Sequence, residues 1–144
     1  MRHTTQLLTL AIAALTLTAC NDNHAIKETA YNYSFAMANY QIDEAAKYAT
    51  NETIETTLDF ARRIIEKIDT AYIISDTPAN IEITEINKTS DTTAYAIYHK
   101  VTPIKDFSDT LALRKRDGYW QAHTPITHPQ QQQTKMPSFS LPEE

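Results

Sequence analysis

Glycine and cysteine are nearly missing from this chain: its 144 residues include one of each, Gly118 and Cys20. One glycine cannot supply the Gly-rich loops that cradle phosphates, nor the glycines that flank a strained nucleophilic serine. One cysteine excludes an internal disulfide framework and a cysteine-based metal centre. Basic side chains are in the minority, 13 against 18 acidic, for a formal net charge of −5. That balance argues against nucleic acid as a partner and against electrostatic attraction to anionic lipid. The acidic residues are scattered, as on an ordinary solvated surface. The length allows one domain with a modest core.

Long apolar runs are also lacking, with one exception from Leu7 to Leu17. It is shorter than the roughly 20 residues of a membrane span, and threonines stand at positions 9, 16 and 18. No polar stripe gives it the face of an amphipathic core helix. Arg2 precedes it, and the small residue Ala19 follows just before Cys20. A charged start, a short apolar middle and a small residue at the cut are the parts of a secretory signal.

Leu17-Thr18-Ala19-Cys20 resembles the lipobox of bacterial lipoproteins. The resemblance implies a diacylglycerol thioether on the Cys20 sulfur, cleavage between Ala19 and Cys20, and acylation of the new amino group. A thiol suits the first step because its thiolate is a strong nucleophile. One acyl chain binds a membrane marginally, whereas two or more hold stably. The mature chain is then fixed to a membrane through Cys20 without spanning it. Asn21, where aspartate marks inner-membrane retention in some bacteria, leans the location towards the outer membrane, facing periplasm or surface. Loss of residues 1–19, whose one charged side chain is Arg2, takes the formal net charge from −5 to −6.

Beyond the signal, residues 20–25 read as a lipidated tether, 26–124 as the folded domain and 125–144 as a disordered Pro/Gln-rich tail. Ile26, Ala30, Tyr33, Met37 and Tyr40 recur at helical spacing. Asp43 is placed to cap a second short helix and Asn51 a third. The third carries the clearest stripe: Ile54, Leu58, Ala61, Ile65, Ile68 and Tyr72. Ser75-Asp76-Thr77-Pro78 breaks the helical pattern. After it the period drops to two, with Ile81 and Ile83 on a first strand. Ala94, Ala96 and Tyr98 alternate with Tyr95, Ile97 and His99 on a second. On a third strand, Leu111 and Leu113 point one way and Thr110, Ala112 and Arg114 the other. Asp117-Gly118 is a two-residue hairpin turn, leading to a strand with Trp120 and Ala122 inward.

Helices followed by an antiparallel meander define an α+β domain, with N-terminal helices packed on a four-stranded sheet. Three stretches sharpen that reading: Ala38 to Thr50, the strand at 92–101 after the polar turn Asn87 to Asp91, and the hairpin Leu111 to Trp120. Their order resembles small bacterial lipoprotein domains of unknown function with the nuclear-transport-factor-2-like (cystatin-like) cone fold, over residues 24–124. Ala122 departs from that pattern, which has a larger aliphatic there. The resemblance implies a cone interior that some proteins use for isomerase or hydrolase chemistry and many for binding alone.

No catalytic motif of those enzymes is present, and no cofactor or metal is implied. Tyr33, Tyr40, Tyr95 and Trp120 are the aromatics able to line a pocket, with Asp59 the nearest approach to a base. The same aromatics at these spacings also suit a core. His99 and His123 are the histidines on strands, one strand apart, and read as half-exposed rather than as metal ligands. The implied partners are the membrane, through Cys20, and a small apolar ligand or an envelope protein. The oligomeric state is left open. The expectation is a non-enzymatic binding or accessory module; an enzyme and a structural envelope component are the alternatives. A packed, dry interior around Tyr33, Tyr95 and Trp120 removes both the binding and the enzyme readings; a cavity with a buried carboxylate bonded to tyrosine favours the enzyme, and a greasy cavity without one favours binding.

Overall fold

The computed structural model describes residues 4–126, with side chains from Asn21 onward. The expected cleavage position at Ala19, the expected lipidation site Cys20, His128 and the tail beyond Ile126 lie outside the described side chains. Among the described residues no helix is long and apolar enough to cross a membrane.

Helix α1 spans Thr4–Ala38. Ile26, Ala30 and Tyr33 are buried along it, as the spacing predicts. The stretch Asn21 to Ala25, read as a tether, is instead helical, because Asp22 is held against the sheet by two lysines. The helix stops at Tyr40, which takes a left-handed conformation (φ 61°). Gln41 N–H then donates to Ala36 O at 2.8 Å and Tyr40 N–H to Met37 O at 3.2 Å, which satisfies carbonyls that the helix end leaves open.

Helix α2 spans Ile42–Ala46 with Gln41 as its N-cap, so Asp43 sits in the first turn rather than at the cap. Helix α3, Asn51–Thr53, is capped by Thr50, whose side chain accepts from Thr53 N–H. It continues through a π-helical turn, Ile54–Leu58, into α4, Asp59–Ile65. The predicted stripe does not run on to Tyr72. A separate helix α5, Thr70–Ser75, starts at Asp69, whose carboxylate accepts from Ala71 N–H at 2.8 Å.

Strands β1 (Asn80–Lys88), β2 (Thr93–Val101), β3 (Asp106–Arg116) and β4 (Tyr119–Ala122) form one antiparallel meander in that order. A register shift between Ile83 and Glu85 in β1 restores the inward face for Ile86 after Ile81 and Ile83, since one extra residue reverses the alternation. Asp117 and Gly118 both have positive φ, as a two-residue hairpin turn requires. The β1–β2 and β3–β4 turns therefore share one end of the sheet, and the β2–β3 turn occupies the other.

The free edge of β4 is covered. Ala122 N–H donates to Tyr48 O at 2.7 Å, and Thr50 N–H donates to Ala122 O at 2.9 Å. Ala49 and Ala122, both buried, present only methyl groups where these backbones meet. The core joins Ile26, Ala30, Tyr33 and Leu58 from the helices to Ile83, Ala96, Leu111, Leu113 and Trp120 from the sheet. Each large apolar side chain so buried contributes on the order of 2 kcal/mol.

Candidate functional site

Apolar side chains that miss the core create a groove at one end of the helical layer. The π turn bonds each N–H five residues back instead of four, and the C-cap Asp59 N–H accordingly reaches Ile54 O. Thr57 supports the turn by donating its hydroxyl to Thr124 O. Ile54 at the start of the turn and Ala61 and Ile65 beyond it pack against the core. Leu58 is fully buried, but Phe60 and Ile64 are left exposed and Ala61 and Ile65 half-buried. With Met37, Tyr40, Ile42 and Ile68 they line a groove of about 310 Å³.

A buried carboxylate stands behind Tyr40. Asp76 is 0% exposed. It accepts from Tyr40 Oη at 2.7 Å, Thr102 Oγ1 at 2.7 Å and Lys105 Nζ at 2.8 Å. Burial alone would raise its pKa; the bonds from Lys105, Tyr40 and Thr102 outweigh that and hold it down to about 2. Tyr40 is pushed up to about 12 by burial and by the neighbouring carboxylate. The Lys105 ammonium also lies 5.1 Å from the centre of the Tyr72 ring. This cluster ties the end of α1, the end of α5 and the β2–β3 turn together.

The opposite end has its own clamp. Asp22 Oδ2 accepts from Lys88 Nζ at 2.7 Å, and Oδ1 from Lys115 Nζ at 2.8 Å and Trp120 Nε1 at 3.4 Å. Lys115 and Lys88 hold its carboxyl well below the usual range.

Between the two ends a threonine cluster fixes the exit of β4. Thr50 Oγ1 contacts His123 Nδ1 at 2.9 Å and Thr53 Oγ1 at 3.0 Å, and Thr124 N–H donates to Thr53 Oγ1 at 2.9 Å. Burial, then the nearby Arg114, lowers the His123 pKa. This cluster, the Asp76 clamp and the Asp22 clamp are not among the sites expected from the sequence. The density of threonine between Thr50 and Thr57 was the available signal for the first.

The four aromatics proposed as pocket lining do not share a cavity. Tyr33 is buried in the core, with its hydroxyl 3.3 Å from Thr124 Oγ1. Trp120 is largely buried, its indole N–H turned to Asp22, and one edge of it lines a separate groove of about 340 Å³ with Tyr48, Arg116 and Tyr119. Tyr95 is 46% exposed on the sheet face away from the helices. Only Tyr40 lines the apolar groove. Side chains fill the interior around Tyr33, and the most apolar open groove lies between α1, α2 and α4. Asp59 pairs with Arg62 and does not line the groove.

His99 Nε2 lies 2.6 Å from Asp106 Oδ1. It pairs with Ser108 on β3, whereas His123 N–H reaches Ala112 O, four residues further along. That separation is about 13 Å along the strand. Among the described residues no three metal-ligating side chains cluster. Another groove, of about 520 Å³, runs along β1 beside His24, Lys27, Glu28 and Tyr31. Its charged rim makes it the poorer host for an apolar group.

No family model matches this chain, and no curated protein sequence does. Among solved structures, the chain is similar to a nuclear-transport-factor-2-like protein of unknown function from Shewanella oneidensis MR-1. The TM-score is 0.51 at 15% identity, covering 73% of this chain and 99% of the other. With its helices and four-stranded antiparallel meander, the chain has the nuclear-transport-factor-2-like α+β fold.

Proposed function

We propose that this protein is a bacterial lipoprotein, held on the envelope membrane by lipid on Cys20, and that its domain is a non-enzymatic binding or accessory module. The observation that carries the binding role is the groove between α1, α2 and α4: its lining is almost entirely apolar and holds no free acid or base. Such a surface suits a small apolar ligand or an apolar segment of an envelope protein. The anchor rests on the lipobox-like run ending at Cys20 and on the signal-like segment before it. Tethering raises the effective concentration of the module near partners on the same membrane.

The pairing of Asp76 with Tyr40 is the one feature that favours an enzyme, since a carboxylate beside a phenol can serve proton transfer. Its proton affinities oppose that role. General acids and bases work best with pKa values near the operating pH. Asp76 is held down to about 2 and Tyr40 up to about 12, and every donor facing Asp76 is already engaged. The cluster is a structural brace. The packing around Tyr33 suits a purely structural component, but Tyr95 stands outside that interior and the apolar groove on the helical face offers a binding surface apart from it.

Two measurements test the reading. Cys20→Ser is expected to leave the chain unprocessed or soluble in cell fractionation; a membrane-bound, lipid-labelled variant contradicts the anchor. Native mass spectrometry of the purified protein is expected to show a retained apolar ligand or an envelope partner that Phe60→Asp releases. Turnover of ester or ketone substrates that is lost in Tyr40→Phe would favour the enzyme instead.

A further inference from the structure

The attachment point and the folded domain are separated by almost no chain. We infer that the domain stands directly on the bilayer, its β1–β2 and β3–β4 turns at the lipid headgroups and its apolar groove facing away. This orientation rests on the lipoprotein reading above. Asp22 comes two residues after Cys20, and two residues reach at most about 7 Å. Asp22 is itself fixed, by Lys88 at the end of β1 and by Lys115 and Trp120 on either side of the β3–β4 turn. Its side chain is only 20% exposed. The anchor therefore joins the domain at the end where both turns lie.

That end carries a residue suited to the headgroup layer. Tyr119, next to Gly118 in the β3–β4 turn, is 74% exposed, the most of any large apolar or aromatic side chain described. Tyrosine favours the membrane interface because its ring is apolar and its hydroxyl stays wet. Lys88 and Lys115 are balanced by Asp22 together with Asp91, 3.8 Å from Lys88 Nζ, so the contact does not depend on anionic lipid.

The groove lies at the other end. Along α1, Met37 stands about 22 Å beyond Asp22 at about 1.5 Å per residue, and Met37 lines the groove. The β2–β3 turn, with Thr102 and Lys105 on Asp76, is level with it. A ligand or partner segment thus reaches the groove from the aqueous side rather than from the bilayer.

Cys20 is the chain's one cysteine and carries the lipid, so a single introduced thiol can be labelled alone. Thr92→Cys marks the near end and Ile104→Cys the far end; both positions are exposed. The lipidated full chain is placed in phosphatidylethanolamine–phosphatidylglycerol vesicles bearing a headgroup-linked nitroxide quencher. Fluorophore quenching is expected to be severalfold stronger at 92 than at 104. A flexible Gly-Ser insertion of about ten residues between Asn21 and Asp22 leaves the clamp intact and is expected to abolish the difference. Equal quenching in the uninserted, mass-verified lipoprotein overturns the orientation and spares the anchor. A difference that survives the insertion overturns the short attachment as its cause. Absence of lipid from the purified chain overturns the lipoprotein reading, and the orientation with it.

Discussion

Asp22 and Asp76 brace opposite ends of the same sheet, yet they are built differently. Asp22 is slightly exposed and meets two ammonium groups. Asp76 is fully buried and meets one, with two hydroxyls supplying the remaining bonds. Near the surface, redundant charge suffices, because water can take over from either lysine. In the interior, desolvation makes an unpaired group expensive, so each donor must be placed and none can be spared. The contrast matches the proposed polarity of the molecule, with a tolerant end at the membrane and a rigid end around the groove. Tyr40 shows the cost of that rigidity. It holds a left-handed backbone that a bulky side chain seldom adopts, and its hydroxyl is bonded to Asp76.

The largest expected effect comes from emptying the deep clamp. Asp76→Ala strands the buried Thr102 hydroxyl and removes the shared acceptor of Tyr40 and Lys105, and is expected to cost about 3 kcal/mol in denaturant unfolding. A loss similar to that of Asp22→Ala would erase the distinction between the ends.

Acid comes next. A carboxyl whose folded pKa is depressed stabilises the fold fully above its ordinary pKa near 4 and loses that contribution as pH falls through the folded value. Both aspartates are shifted this way. The protein is therefore expected to lose stability between about pH 4 and pH 2, and the double variant Asp22→Ala/Asp76→Ala to show a much flatter acid limb. An equally steep limb in the double variant would assign the acid sensitivity elsewhere.

Asp22→Ala alone is the mildest, expected to cost about 1 kcal/mol because Asp22 and both of its lysines reach solvent and no fully buried hydroxyl depends on it. Salt screens such pairs, so the difference between this variant and the parent is expected to shrink at high ionic strength. The Asp76→Ala difference is expected to change little.

The same contrast explains what could be read from the sequence. The β3–β4 hairpin was legible because its information is local: Asp117-Gly118 fixes the turn, and alternation fixes Leu111, Leu113, Trp120 and Ala122 inward. The stripe Ile26, Ala30, Tyr33 was legible for the same reason. Asp22 lay in a stretch read as tether and Asp76 in one read as a helix breaker. Their partners stand dozens of residues away, and nothing adjacent marks either carboxylate. The π turn was hidden as well, since it leans on Thr57 reaching Thr124 across the domain. The predicted stripe kept its inward face through Ile54, Leu58, Ala61 and Ile65, whereas Phe60 and Ile64, exposed beside it, line the groove. Tyr95 was placed with the pocket because its strand is apolar on both faces, and alternation cannot say which face meets the helices.

The central claim is that a lipid on Cys20 holds this domain against a membrane. Mass analysis of the mature N-terminus, on protein purified from its native cell, tests it most directly. The account predicts a chain that begins at Cys20 and carries fatty acid. An intact Met1, or a mature terminus at another residue without lipid, would contradict it.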